Sequence, residues 1–201
     1  IAITDIREGR FTTDAANASS FDGAVTIDRR ASDGEAIVRT WSHANGVQYV
    51  SGELAGYTLS ANSSLSISRV HGSGREFVVA TGRDTAGNLR IQTWAVSVTG
   101  ELGLMAEEIL NGVSDVSVVG ATTRDFVTAV IGGGKARLIS WSHSNGRKLR
   151  RKGTVVATGG GAISELDIGA RMVAGNLFAA VRDSDGELAL LQHRVNFDPA
   201  F

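Results

Sequence analysis

Hydrophobic and polar residues alternate along this chain in short runs, and one run occurs four times. Ala36-Ile37-Val38-Arg39-Thr40-Trp41 is followed by Leu89-Arg90-Ile91-Gln92-Thr93-Trp94, by Ala136-Arg137-Leu138-Ile139-Ser140-Trp141 and by Leu188-Ala189-Leu190-Leu191-Gln192-His193. The spacings are 94−41 = 53, 141−94 = 47 and 193−141 = 52 residues. Within the first run Ile37, Arg39 and Trp41 share one face, and Val38 and Thr40 the other, because side chains alternate along a strand. In units two to four the second face is apolar too, so each run reads as a strand covered on both sides.

The same order of strands precedes and follows each landmark. The first unit reads as Ile1–Ile6, Ala24–Ile27, Ala36–Trp41 and a strand from Val47, with a loop from Arg7 to Asp22. The second reads as Leu65–Ser68, Phe77–Ala80, Leu89–Trp94 and Leu102–Met105. The third reads as Val116–Val119, Phe126–Val130, Ala136–Trp141 and Arg147–Val156. The fourth has Leu166–Ile168, Leu177–Val181 and Leu188–His193. The only stretch with a helical reading, Met105–Leu110, is too short to matter.

Three registers support the alignment. A glycine lies seven residues before each landmark, at Gly34, Gly87, Gly134 and Gly186, as expected for a turn that needs positive φ. Asn45-Gly46 is a hairpin signal of the same kind. The first strands of three units open alike, with Ile3-Thr4-Asp5-Ile6, Val113-Ser114-Asp115-Val116 and Ile163-Ser164-Glu165-Leu166; the second, Asn62-Ser63-Ser64-Leu65, is looser. An apolar residue lies eight after each landmark, at Tyr49, Leu102, Leu149 and Phe201.

Antiparallel four-stranded units of about fifty residues predict an all-β, β-propeller-like array of four blades. The expected blades span 1–58, 59–111, 112–160 and 161–201, as one repeat domain. The fourth is incomplete, since its closing strand would only begin at Phe201. Further repeats, or another chain, are then expected to complete the ring, because an open edge invites association.

Composition agrees. There are 25 glycines and 1 proline, and 42% of residues are hydrophobic. The net charge of −1 does not favour nucleic acid, which selects a surplus of basic residues on one face. The basic run Arg147–Lys152 reads as a solvated edge strand. The absence of cysteine excludes disulfides, thiolate metal sites and a Cys nucleophile. No apolar run is long enough to span a membrane. The opening Ile suggests a processed product or a piece of something longer.

The segments from Phe77-Val78-Val79-Ala80 to Trp94, and from Phe126-Val127-Thr128-Ala129-Val130 to Trp141, resemble tandem Trp-containing repeats of secreted bacterial proteins. The resemblance covers nearly the whole chain. It implies a propeller used for binding or adhesion at the cell surface or beyond, and brings no catalytic residue. Asp183-Ser184-Asp185-Gly186-Glu187 comes nearest to a calcium loop, but the other units do not repeat its acids.

Several residues carry candidate chemistry. Trp41, Trp94 and Trp141 fit either sugar-stacking platforms or packing between blades. His43 and His143 recur in Trp-Ser-His-x-Asn-Gly; with His71 and His193 they show no ligand spacing, so no metal is expected. Asp5, Asp115 and Glu165 are expected at one place on axis-lining strands. There they would hold a cation, serve hydrolysis as paired acids, or cap backbone groups. Gly132–Gly134 and Gly159–Gly161 read as turns. Asn17-Ala18-Ser19 and Asn62-Ser63-Ser64 match a glycosylation sequon. No cofactor is implied. The leading expectation is a non-enzymatic binding or adhesion module with a carbohydrate or protein ligand. The alternatives are an assembly subunit completed by a partner strand and a glycoside hydrolase-like enzyme with acids at the axis.

Overall fold

A computed structural model describes residues 2–11, 19–43, 45–70, 77–121, 125–144, 148–157, 161–171 and 176–194. All fifteen elements among them are strands. The first sheet holds β1 (Ala2–Phe11), β2 (Ser19–Arg29), β3 (Glu35–Ser42) and β4 (Gln48–Thr58). The second holds β5 (Leu65–Val70), β6 (Phe77–Arg83), β7 (Leu89–Val96) and β8 (Leu102–Leu110). The third holds β9 (Asp115–Gly120), β10 (Asp125–Gly132), β11 (Lys135–Ser144) and β12 (Lys148–Ala157). The fourth holds β13 (Ile163–Arg171), β14 (Asn176–Asp183) and β15 (Leu188–Arg194). Each sheet is a plain antiparallel meander in chain order.

Two expectations are corrected. Met105–Leu110 is no helix but part of β8, with Ala106–Leu110 paired to β7. The described residues of the expected loop from Arg7 to Asp22 are strand: β1 runs on to Phe11 and β2 starts at Ser19. In the pairing with the fourth strand, Tyr49 lies opposite Trp41, Leu104 opposite Trp94 and Arg151 opposite Trp141. The closing strand expected from Phe201 lies outside the described residues.

The hairpin glycines behave as their spacing predicts. Gly34, Gly87, Gly134 and Gly186 all have φ between 71° and 85°. In the third sheet Gly133 and Gly134 form the whole turn, between the paired Gly132 and Lys135. Asn45 and Gly46 also have positive φ. These turns fix the register of the second strand on the third, so the apolar set of each falls on the intended face.

The sheets pack face to face in sequence. Val25, Ile27, Ala36 and Val38 of the first sheet meet Ile67, Val78, Ala80 and Trp94 of the second. Leu89, Ile91 and Val79 of the second meet Val118, Phe126 and Trp141 of the third. Val127, Ala129 and Leu138 of the third meet Ile168, Leu177 and Ala179 of the fourth. The rule is the same at every junction: the Trp side of a sheet faces back, and the other side faces forward. First strands also lie against one another, β1 on β5, β5 on β9 and β9 on β13.

Polar bonds stitch these first strands together. The backbone N–H groups of Val118 and Gly120 donate to Ser66 Oγ (3.0 Å) and Ser68 Oγ (2.9 Å). Those of Leu166 and Ile168 donate to Asp115 Oδ2 and Ser117 Oγ, both at 3.4 Å. In these four the acceptor sits on the earlier sheet; in a fifth, Ser117 Oγ donates forward to Asp167 Oδ1 (2.7 Å). The approach is so close that a Cβ on Gly120 would lie 2.0 Å from the Arg69 carbonyl oxygen, which only glycine avoids.

A bulge precedes the Trp in each of the first three sheets, between Thr40 and Trp41, Thr93 and Trp94, and Ser140 and Trp141. It breaks the pairing with the fourth strand where the indole turns into the junction. Trp41 Nε1 then donates to Thr26 Oγ1 (3.0 Å) and Trp141 Nε1 to Thr128 Oγ1 (2.9 Å). In the second sheet the matching position is Ala80, two residues after the cross-strand partner Val78, and Trp94 Nε1 is buried without an acceptor. Ala80→Thr is expected to supply the missing hydroxyl and raise stability by about 1 kcal/mol, the usual net value of a hydrogen bond. Urea unfolding of the two proteins checks this; a lower midpoint for the variant contradicts it.

Candidate functional site

The recurring Trp and the residue two after it occupy the backward face of each sheet. Where a sheet stands behind them they are core. Trp94 and Trp141 are each 2% exposed, and an indole so enclosed presents no face to a sugar. Phe126 stacks on Trp141 with centroids 6.3 Å apart. His143 is buried, its Nε2 3.2 Å from Thr93 Oγ1 of the preceding sheet and its ring 5.1 Å from that of Phe77. Val96 fills the same place in the second sheet.

In the first sheet the same residues are open. Trp41 is half-buried, His43 is exposed, and Tyr49 meets the indole edge-on at 5.5 Å. Of the aromatic and histidine candidates, this trio alone reaches solvent among the described residues. His71 and the side chain of His193 lie outside them.

The three acids do not share a level. Asp5 lies opposite Ala24, which lies opposite Trp41, at the Trp end of the sheet. Asp115 lies opposite Ile131, which lies opposite Ala136, at the glycine-turn end. Its own sheet's residue at the Trp level is Gly120, opposite Phe126. Five residues of strand separate the two levels, about 17 Å. Glu165 shares the level of Asp115 but is exposed, with Arg182 Nη1 3.5 Å away. Asp115 accepts from its neighbour Val116 N (2.9 Å) as well as from Leu166 N of the next sheet. The matching tetrapeptides that aligned Asp5 with Asp115 were a local likeness, and cross-strand pairing overrides it.

Other candidates settle into structural roles. Asp183 Oδ1 accepts from Asp185 N (3.0 Å) and Glu187 N (2.9 Å), closing a hairpin turn. From Lys148 on, the basic run lies in β12, the edge of the third sheet, with Lys152 Nζ 3.4 Å from Asp125 Oδ2. Among the described residues no group of three or more His, Cys, Asp or Glu side chains is placed to hold a metal ion.

One polar cluster escaped the sequence. Between the first two sheets, Gln92 Nε2 donates to Ala55 O (2.7 Å) and Glu107 Oε1 (3.0 Å). Arg90 Nε donates to Asp84 Oδ2 (3.0 Å), and its guanidinium lies 5.7 Å from the centre of the Tyr57 ring. Tyr57 and Gln92 are 35 residues apart, and no short motif joins them. Burial, with the Glu107 carboxylate as a second cause, pushes the Tyr57 hydroxyl well above the usual range. Burial alone would raise Asp84, but the Asn88 backbone N–H and Arg90 together hold it below the ordinary carboxylate value. Arg30 and the Glu35 backbone hold exposed Asp33 at about 2.

No protein-family model matches this chain, and no curated protein matches it.

A depressed folded-state pKa stabilises above the unfolded value and is lost as pH falls through the folded one. For Asp84 and Asp33 that window opens near pH 4 and extends downward. The melting temperature is therefore expected to fall as pH drops below 4. Asp84→Asn is expected to flatten part of that fall while costing about 1–3 kcal/mol at pH 7, by weakening the bonds from Asn88 and Arg90. A variant with the wild-type pH profile contradicts this.

Proposed function

We propose that the chain is a non-enzymatic, propeller-like binding module of an exported or cell-surface protein, and that its ligand is a protein. The observation that carries the reading is where the repeated chemistry goes. Trp94, Trp141, His143, Asp115 and the first-strand serines are spent on joining sheets. Repetition of that kind marks a scaffold, and recognition is left to surfaces that differ between repeats. Exposed apolar side chains on the outer strands, among them Leu54, Leu104, Val155 and Val156, supply such a surface. Consecutive sheets with adjoining first strands support the propeller-like build. The resemblance to secreted repeats supports a place outside the cell.

A carbohydrate ligand is the weaker form of this reading, because two of its three expected platforms are enclosed. An assembly subunit completed by a partner strand is favoured by one observation: β15 is an edge strand of a three-stranded sheet among the described residues. The hydrolase reading is the least favoured, since Asp5 stands at the Trp level and Asp115 at the glycine-turn level.

A glycan array probed with wild type, Trp41→Ala and Tyr49→Ala tests the ligand class. The expected result is no glycan bound by wild type and lost in both variants. A glycan that behaves that way overturns the protein reading in favour of a lectin.

A further inference from the structure

The stack has two ends, and each presents half of the junction that recurs inside it. The forward face of the fourth sheet carries Leu188 and Leu190. By the Trp register Leu190 matches Val38, Ile91 and Leu138, which are 0%, 0% and 5% exposed, yet Leu190 is 70% exposed. Leu188 matches the buried Ala36, Leu89 and Ala136 and is 77% exposed. The backward face of the first sheet carries Trp41 and Ala24, both partly exposed, where the matching Trp94, Trp141, Val78 and Phe126 are buried. Two large leucines at positions reserved for core, standing in solvent, are unusual on a monomer surface.

We infer that the Leu188–Leu190 face takes the Trp41 face of a second copy of this chain, head to tail, and that two chains close one ring. The occupant follows from continuity with the junctions already present. Every sheet that covers such a forward face in this molecule brings a Trp-side face of the same repeat, and the first sheet holds the unused one. The first strands are prepared in the same way. Asp167 and Glu165 stand at the positions of Ser117 and Asp115, the acceptors that receive N–H groups from the next first strand. The side-chain rule extends as well: His143 meets Thr93 of the sheet behind it, so His43 would meet Gln192 of the second copy. Such contacts are heterologous, and they form a closed assembly when four sheets turn through half a circle. This inference uses the stacked build of the preceding reading but not its ligand, so either can fail alone.

The test is mass in solution, by light scattering across a hundredfold range of concentration, on the 201-residue chain. Wild type is expected at twice the 21.0 kDa chain mass. Leu190→Arg and Ala24→Arg each place a charge in one of the two faces and are expected to weaken association about a hundredfold or more. Ile37→Asp, on the same face as Ala24, replaces Ala24→Arg if circular dichroism shows that variant unfolded. Mixing the two single-face variants is expected to restore a two-chain species, since each retains the face the other lacks. Three results overturn the inference: a wild-type monomer throughout, association broken by only one of the two substitutions, or a mixture that stays monomeric. The first is what closure of the chain on itself would give.

Discussion

The structure depends on burying sheets that are apolar on both faces. A half-buried sheet can stand with one side in water, but Leu89, Ile91 and Val79 point one way from the second sheet while Trp94, Val78 and Ala80 point the other. Such a sheet has no stable existence without a neighbour on each side. The bulge before each Trp, the glycine turn seven residues earlier and the hydroxyl acceptors on the first strands all serve this constraint. They aim the indole into the junction, set the face each strand presents and hold adjoining first strands in register.

The same constraint explains why residues that look like chemistry do something else. Recurrence put Trp, His and Asp at fixed places, and a fixed place in every unit of a stack is most often a contact with the next unit. His143 shows this most plainly: a potential ligand or base is enclosed between Phe77 and Thr93. The first and last sheets keep the junction residues but lack the cover among the described residues, so only there do the residues face solvent.

Much of the fold was legible because it is written in short-range pattern. The Trp and glycine ruler located the third strand and its hairpin in all four sheets. The limits were equally physical. Met105–Leu110 lacks clear alternation, and only pairing with β7 makes it a strand. The ends of β1 and β2 are polar, and the ladder between them supplies what apolar periodicity does not. Asp5 was aligned on four similar residues, but register is decided by the opposite strand. The Tyr57, Arg90, Gln92 and Glu107 cluster draws on different strands of two sheets and leaves no linear signature.

Each junction holds both of the sheets it joins. Native-state hydrogen exchange on Trp141→Ala tests it most directly, because the indole belongs to the third sheet but is buried against the second. Removing it should cost about 3–5 kcal/mol. Slow amides of β6 and β7 are expected to lose protection together with those of β10 and β11. Loss confined to the third sheet, with β6 and β7 exchanging as in wild type, would contradict it.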